Sequence, residues 1–211
     1  MTESQNLAGT LPSGTLLSLL AARVSSPAVS RSLRVAAVLF VTVLTAVAAQ
    51  VSLPLPFTPV PLTVQPMIVL LGAAALGARA GACSQVLYLL AGIAGLPVFA
   101  ASPLLPPGAA RLLGPTGGYL MAYPLAAFAT GWLADRGFDR RYLTTVLAMA
   151  AGMTVLFAGG VAWLAFTLNP HAPAHAFGAA LRAGLYPFLA ADTFKLLVAA
   201  ASLPAAWKLL R

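Results

Sequence analysis

The sequence predicts an all-α membrane protein of six transmembrane helices, with both termini on the cytoplasmic side. Three observations predict it. Of the 211 residues, 60% are hydrophobic and only 8% charged, where an average soluble domain carries about 25% charged residues. So few charges cannot cover a soluble surface, and lipid must be the solvent for most of it. The apolar stretches come in blocks near the ~20 residues that a membrane helix needs. The basic residues fall on one side of the resulting topology.

Residues 1–32 form an N-terminal extension assigned to the cytoplasm. A short Leu-rich stretch there, Leu16–Leu20, precedes Arg23, Arg31 and Arg34. A secretory signal has its basic residues before the apolar run, so a cleaved signal peptide is not expected here. Residues 33–208 form the six-helix transmembrane domain, which is expected to hold the substrate.

From Val35 to Ala78 no residue is charged. This block is long enough for two spans, and Pro54, Pro56, Pro59 and Pro61 divide it. Proline lacks a backbone donor and biases the preceding residue away from helix. Helix is therefore expected over 33–52 and 63–78, with Pro66 in a first turn, where proline is tolerated. Arg79 and Gly81 mark a tight turn, and the next helix covers 82–96. A long Pro- and Ala-rich loop spans 97–115, a length often used for lids. Helices over 116–134 and 142–168 flank the charged turn Asp135–Arg141. The last helix is expected over 180–207. Cys83 lies in an apolar run and reads as a small packing residue.

With six spans, Arg23, Arg31, Arg34, Arg79, Arg136, Arg140, Arg141, Lys208 and Arg211 share one side, and Arg111 and Arg182 the other. Basic residues concentrate in cytoplasmic loops. The net charge of +8 is thus a mark of topology, and no nucleic-acid partner is expected. The partner of most of the surface is the lipid bilayer, and the expected location is the cytoplasmic (inner) membrane, multi-pass.

Polar residues inside the spans carry the functional information. Asp192 and Lys195 are three apart, so they share a helix face. Counted from the start of the last helix, they lie near the middle of the ~30 Å hydrocarbon core. Each charge there costs ~2.5–3.5 kcal/mol on insertion scales. Such residues usually face a cavity and mark a site or a pathway. The alternative is a structural pair that neutralises itself. A carboxylate offers acceptors and an ammonium donors, which together suit a urea or an amide. Gln85 and Tyr88 share a face with Ser84. They are expected to line a cavity or to hydrogen-bond between helices. Thr116, Gly117 and Gly118 open a helix whose free N–H groups and small residues allow close approach. Tyr119 and Tyr123, four apart, either stack on a flat solute or belong to an interfacial aromatic belt.

No Gly-x-x-x-x-Gly-Lys-Ser/Thr occurs, so ATP hydrolysis by a P-loop is excluded. His171 and His175 are separated by Pro173, which argues against a shared metal. No cofactor and no metal are expected, and the chain does not read as an enzyme.

Four stretches together resemble a known family: PLPFTPVPLTVQPMIVLLGAAALGARAG (54–81), VLYLLAGIAGLPVFA (86–100), GPTGGYLMAYPLAAFATGWLADR (114–136) and PFLAADTFKLLVA (187–199). They resemble BioY, the substrate-capture (S) component of energy-coupling-factor (ECF) vitamin transporters that carries biotin. The resemblance implies biotin as transported ligand. The vitamin would sit under the first outer loop and the loop that follows the third helix. A transmembrane coupling subunit and ATPase subunits would be partners. Asp192 and Lys195 match the family's paired polar residues. The biotin carboxylate would need a cation, either Lys195 or Arg111. Such S components present small residues to the coupling subunit, and here Thr42, Ala46, Thr45 and Ala49 have the spacing. Two other readings stay open: an S component for riboflavin or thiamine, and an intramembrane enzyme using Asp192 as base.

Overall fold

A computed structural model describes residues 14–101 and 108–209. The expected features at 1–13, Arg211 and the loop prolines Pro103, Pro106 and Pro107 lie outside the described residues. The protein is mostly helical. In chain order the elements are α1 (Leu16–Ala22), α2 (Pro27–Gln50), β1 (Ser52–Leu53), β2 (Leu62–Thr63), α3 (Gln65–Leu76) and α4 (Ala78–Ile93). Then come α5 (Ala110–Leu113), α6 (Gly117–Ala134), α7 (Tyr142–Leu168), α8 (Pro173–Gly184), α9 (Tyr186–Ala200) and α10 (Ser202–Leu209). Among the described residues, three helical stretches are long and apolar enough to cross a membrane: Pro27–Gln50, Tyr142–Leu168 and Tyr186–Leu209.

Several boundaries differ from the sequence expectation. α2 begins at Pro27 rather than residue 33, because proline fits the first helical turn and Ser26 precedes it in extended conformation. α1 belongs to the packed body, with Leu17 and Ala21 buried. The α3–α4 turn is the single residue Gly77, not Arg79–Gly81. Gly77 has φ +90°, a conformation that only glycine adopts without strain. Gly81 instead lies inside α4, where a β-carbon would fall 2.8 Å from the Ala73 Cα.

The last span is not one helix. Leu185, at φ −122° and ψ −60°, separates α8 from α9. The cause is Pro187, which has no N–H to give the Ala183 carbonyl. The expected loop 97–115 also contains a helical turn, α5. The Pro-rich segment between α2 and α3 closes on itself as an antiparallel pair, with Ser52 opposite Thr63 and Leu53 opposite Leu62.

α6 and α7 form the centre, packed along their length, with α3 and α4 against α6 and with α8 and α9 against α7. Leu70, Tyr88, Met149, Leu156 and Leu164 are fully buried. Large apolar residues cover the outside, including Val35, Leu39, Phe40, Val43 and Val47 of α2. An apolar exterior is what lipid as solvent requires. Cys83 is exposed on the α4 stripe of Val86, Leu87 and Leu90. It faces outward and is not the packing residue its apolar context implied.

One end of the molecule is tied together by polar contacts. The Ala78 N–H donates to Asp135 Oδ2 at 3.0 Å, and Trp207 Nε1 donates to Asp139 Oδ2 at 2.7 Å. Arg140 donates to the Gly14 carbonyl at 3.3 Å. These bonds hold α1, the α3–α4 turn, the α6–α7 loop and α10. The α2–α3 segment, the loop after α4 and the α7–α8 turn lie at the other end, where the cavity is found.

Candidate functional site

A small cavity of about 60 Å³ opens at that second end. Its roof is made by Val60, Pro61 and Thr63 from the α2–α3 segment and by Phe99, Ala100 and Arg111 from the loop after α4. The walls are Gln65 and Pro66 of α3, Tyr119, Leu120 and Tyr123 of α6, Leu156 and Phe157 of α7, and Phe188 and Asp192 of α9. Thr116 stands where α6 begins. The lining is therefore largely apolar and aromatic, with a few polar groups converging on it.

Asp192 is 4% exposed and accepts from Lys195 Nζ at 2.6 Å. Lys195 also donates to the Thr63 carbonyl at 2.7 Å. Lys195 is absent from the cavity lining and faces a separate crevice beside Gln50 and the β1–β2 pair. The two residues thus share a helix face as the spacing requires, but only the carboxylate reaches the cavity.

Arg111 is the contrasting cation. It is 6% exposed, held by the short α5, and its Nε is buried with no hydrogen-bond partner. Among the described residues no carboxylate pairs with it, the ion pair present being Lys195–Asp192. Burial lowers its pKa below the usual guanidinium value, yet an arginine side chain stays protonated in proteins. A buried positive charge without an anion is costly, and an anionic group entering the cavity would supply its partner.

Both tyrosines of α6 reach the cavity. Tyr119 donates its hydroxyl to the Gly184 carbonyl at 2.7 Å. Tyr123 makes ring contact with Tyr88. Tyr88 stands behind the wall. It takes a hydrogen bond from Gln65 Nε2 at 2.6 Å, donates to the Val98 carbonyl at 3.1 Å, and meets Phe99 edge-on. It props three lining residues, Gln65, Phe99 and Tyr123, without lining the cavity itself.

The remaining sequence candidates lie elsewhere. Gln85 is fully buried between α4 and α2, donating to Thr45 Oγ1 at 3.3 Å and Ser84 Oγ at 3.0 Å. It realises the interhelical alternative. Gly117 and Gly118 pack on the Leu112 carbonyl and on Trp163, respectively. They let α5 and α7 approach α6 and do not line the cavity. Thr42, Thr45, Ala46 and Ala49 form no open docking face. Thr42 donates to the Ser84 carbonyl of α4, Thr45 and Ala49 are fully buried, and Ala46 packs on the core. Small residues at four-residue spacing do permit close helix approach, and here the helices are the chain's own α2 and α4.

Gln65, Phe99, Phe157 and Phe188 are lining residues that sequence reasoning did not single out. Gln65 carried a signal, a polar residue in the first turn of an apolar helix directly after the Pro-rich segment. The phenylalanines carried none, since aromatic residues occur throughout the spans.

Comparison with known proteins matches the chain to a family. The BioY family model matches residues 19–211. The chain belongs to the BioY family. A biotin transporter BioY from Thermotoga maritima is 39% identical over 159 residues, which is 75% of this chain and 86% of that protein. A probable biotin transporter BioY from Pyrococcus horikoshii is 38% identical over 152 residues, 72% of this chain and 82% of that one. A solved structure described as the S-component for biotin from an ECF-type ABC transporter superposes with a TM-score of 0.73. It covers 88% of this chain and 95% of its own at 22% identity. At that identity the likeness establishes a shared fold, so BioY relatives and the S-component architecture agree.

Proposed function

We propose that this chain captures biotin as the S component of an ECF transporter in the cytoplasmic membrane, with ATP hydrolysis supplied by partner subunits. The observation that carries this is Arg111, a buried unpaired cation in a cavity that also holds an acceptor, Asp192. Biotin has one carboxylate and one ureido ring. Arg111 is assigned the carboxylate, because Lys195 is already engaged by Asp192 and Thr63. Asp192 accepts the ureido N–H groups, while Tyr119, Tyr123 and Phe157 enclose the apolar ring and chain. The family's biotin transporter relatives support the choice of ligand.

The same reading takes α2, α3, α4, α6, α7 and the α8–α10 unit as six spans, with the Asp139 end in the cytoplasm. The grouping of Arg79, Arg136, Arg140, Arg141 and Lys208 near that end supports it. A coupling subunit would then meet an exposed apolar face, such as that of Leu39, Phe40 and Val43, rather than the buried Thr45 and Ala49.

Calorimetry of the purified chain with biotin tests the proposal, beside Asp192→Ala and Lys195→Ala. Tight binding that Asp192→Ala abolishes is expected. Lys195→Ala should weaken it less, by freeing Asp192 and Thr63. A folded wild-type chain that binds no biotin would sink the proposal.

A further inference from the structure

The α8–α9 break leaves two backbone carbonyls without helical partners. In a continuous helix the N–H of residue 187 would bond to Ala183 and that of Phe188 to Gly184. Pro187 has no N–H. The Phe188 N–H turns to the Leu185 carbonyl at 3.0 Å. Buried polar groups need partners, and both carbonyls find side chains. Tyr119 reaches Gly184, as described. Thr58, in the middle of the Pro-rich segment that roofs the cavity, donates its hydroxyl to the Ala183 carbonyl at 2.6 Å.

Thr58 also shapes its own segment, since its Oγ1 accepts the Val60 N–H at 3.1 Å. That bond fixes the turn that delivers Val60 and Pro61 to the cavity. Further along, Lys195 of α9 holds the Thr63 carbonyl. The roof segment is thus tied to the last span twice, once on each side of Leu185. It is otherwise short of backbone pairing, because only β1 and β2 form a ladder.

We propose that Thr58 is the latch of the cavity roof, and that the helix break at Pro187 exists to present the carbonyl on which it fastens. Opening the roof requires releasing the Ala183 carbonyl, and no helical N–H can take the place of Thr58 there, because Pro187 has none. Thr58 does not line the cavity, so it is a positioning residue. Its consequence for ligand release rests on the capture reading above. The latch itself does not.

Hydrogen–deuterium exchange of the full chain in detergent, without ligand, reads the latch directly at the amides of residues 57–63. Thr58→Val removes the hydroxyl at nearly constant shape, and with it both the bond to Ala183 and the acceptor of the Val60 N–H, and should speed exchange there roughly five- to hundredfold. Thr58→Ser should restore wild-type exchange. Pro187→Ala restores an N–H facing the Ala183 carbonyl while leaving the Thr58 turn intact, and it should loosen the same amides. Stopped-flow release of bound biotin should accelerate by a similar factor in Thr58→Val and Pro187→Ala, with association little changed. Unaltered loop exchange in either variant overturns the latch. Exchange that changes as expected in a chain that binds no biotin supports the latch and rejects the biotin reading alone.

Discussion

The two ends of this molecule both bury charged residues, and they use them in opposite ways. At the Asp139 end, polar groups pair within the chain, although Asp139 Oδ1 is buried with no hydrogen-bond partner. Asp135 caps the first N–H of α4, Asp139 takes the Trp207 indole, and Arg136 lies 3.4 Å from the centre of the Trp132 ring. At the cavity end Arg111 is also buried, but among the described residues no anion pairs with it. Burial and charge therefore do not mark a binding site in this protein. What marks it is a buried charge without an ion-pair partner that also borders the cavity, as Arg111 does and Asp139 does not. Asp192 stands between the extremes, paired with Lys195 yet open to the cavity.

The comparison breaks if the two ends respond alike to substitution. The largest effect is expected at Arg111. Arg111→Gln should weaken biotin binding at least about thirtyfold, since losing a buried charged partner costs about 2–5 kcal/mol. Its thermal unfolding midpoint should hold or rise, because an unpaired buried cation has been removed. A matching loss of stability would show that Arg111 is structural.

Asp139 should behave in reverse. Asp139→Ala leaves the Trp207 N–H unpaired and should cost about 1–3 kcal/mol of stability, with biotin affinity unchanged. Asp139 also sharpens the comparison through pH. Burial raises its pKa from 3.8 to about 6, against the opposing effects of the Trp207 hydrogen bond and Arg140. The native state then holds this proton more tightly than the unfolded chain does. Its contribution to stability is fully present below pH ~4 and is lost as pH rises through about 6. Thermal unfolding across that window should show the slope in wild type, and Asp139→Asn should flatten it while keeping an acceptor for Trp207.

The smallest effect is expected at Gln85. It lies between α2 and α4, outside the cavity. Gln85→Leu should leave biotin affinity within about twofold, because its hydrogen bonds hold helix to helix. A large affinity loss without unfolding would move the site wall to α4.

Much of the helical layout was legible from composition and proline placement. The apolar blocks mark where helices run, and α6 and α7 lie within a residue of their expected bounds. Asp192 was legible because a lone carboxylate among apolar residues has few tolerable positions in lipid. The division of labour between Lys195 and Arg111 was not. Both are cations within reach of the same end, and spacing does not say which one the fold satisfies. Thr45, Ala46 and Ala49 show the same limit, since a small-residue stripe looks identical whether it faces another protein or the neighbouring helix.

By itself, then, the sequence determined a helical membrane protein whose few charged residues are confined to loops, helix ends and one face of the last helical stretch. Lipid imposes that, because every misplaced charge is expensive. The tertiary structure alone decided which polar groups are left wanting. Lys195 is satisfied by a carbonyl 132 residues away in sequence, and Thr58 by one 125 residues away. Pairings at that range depend on how helices pack and where Pro187 breaks one, and no local pattern encodes them.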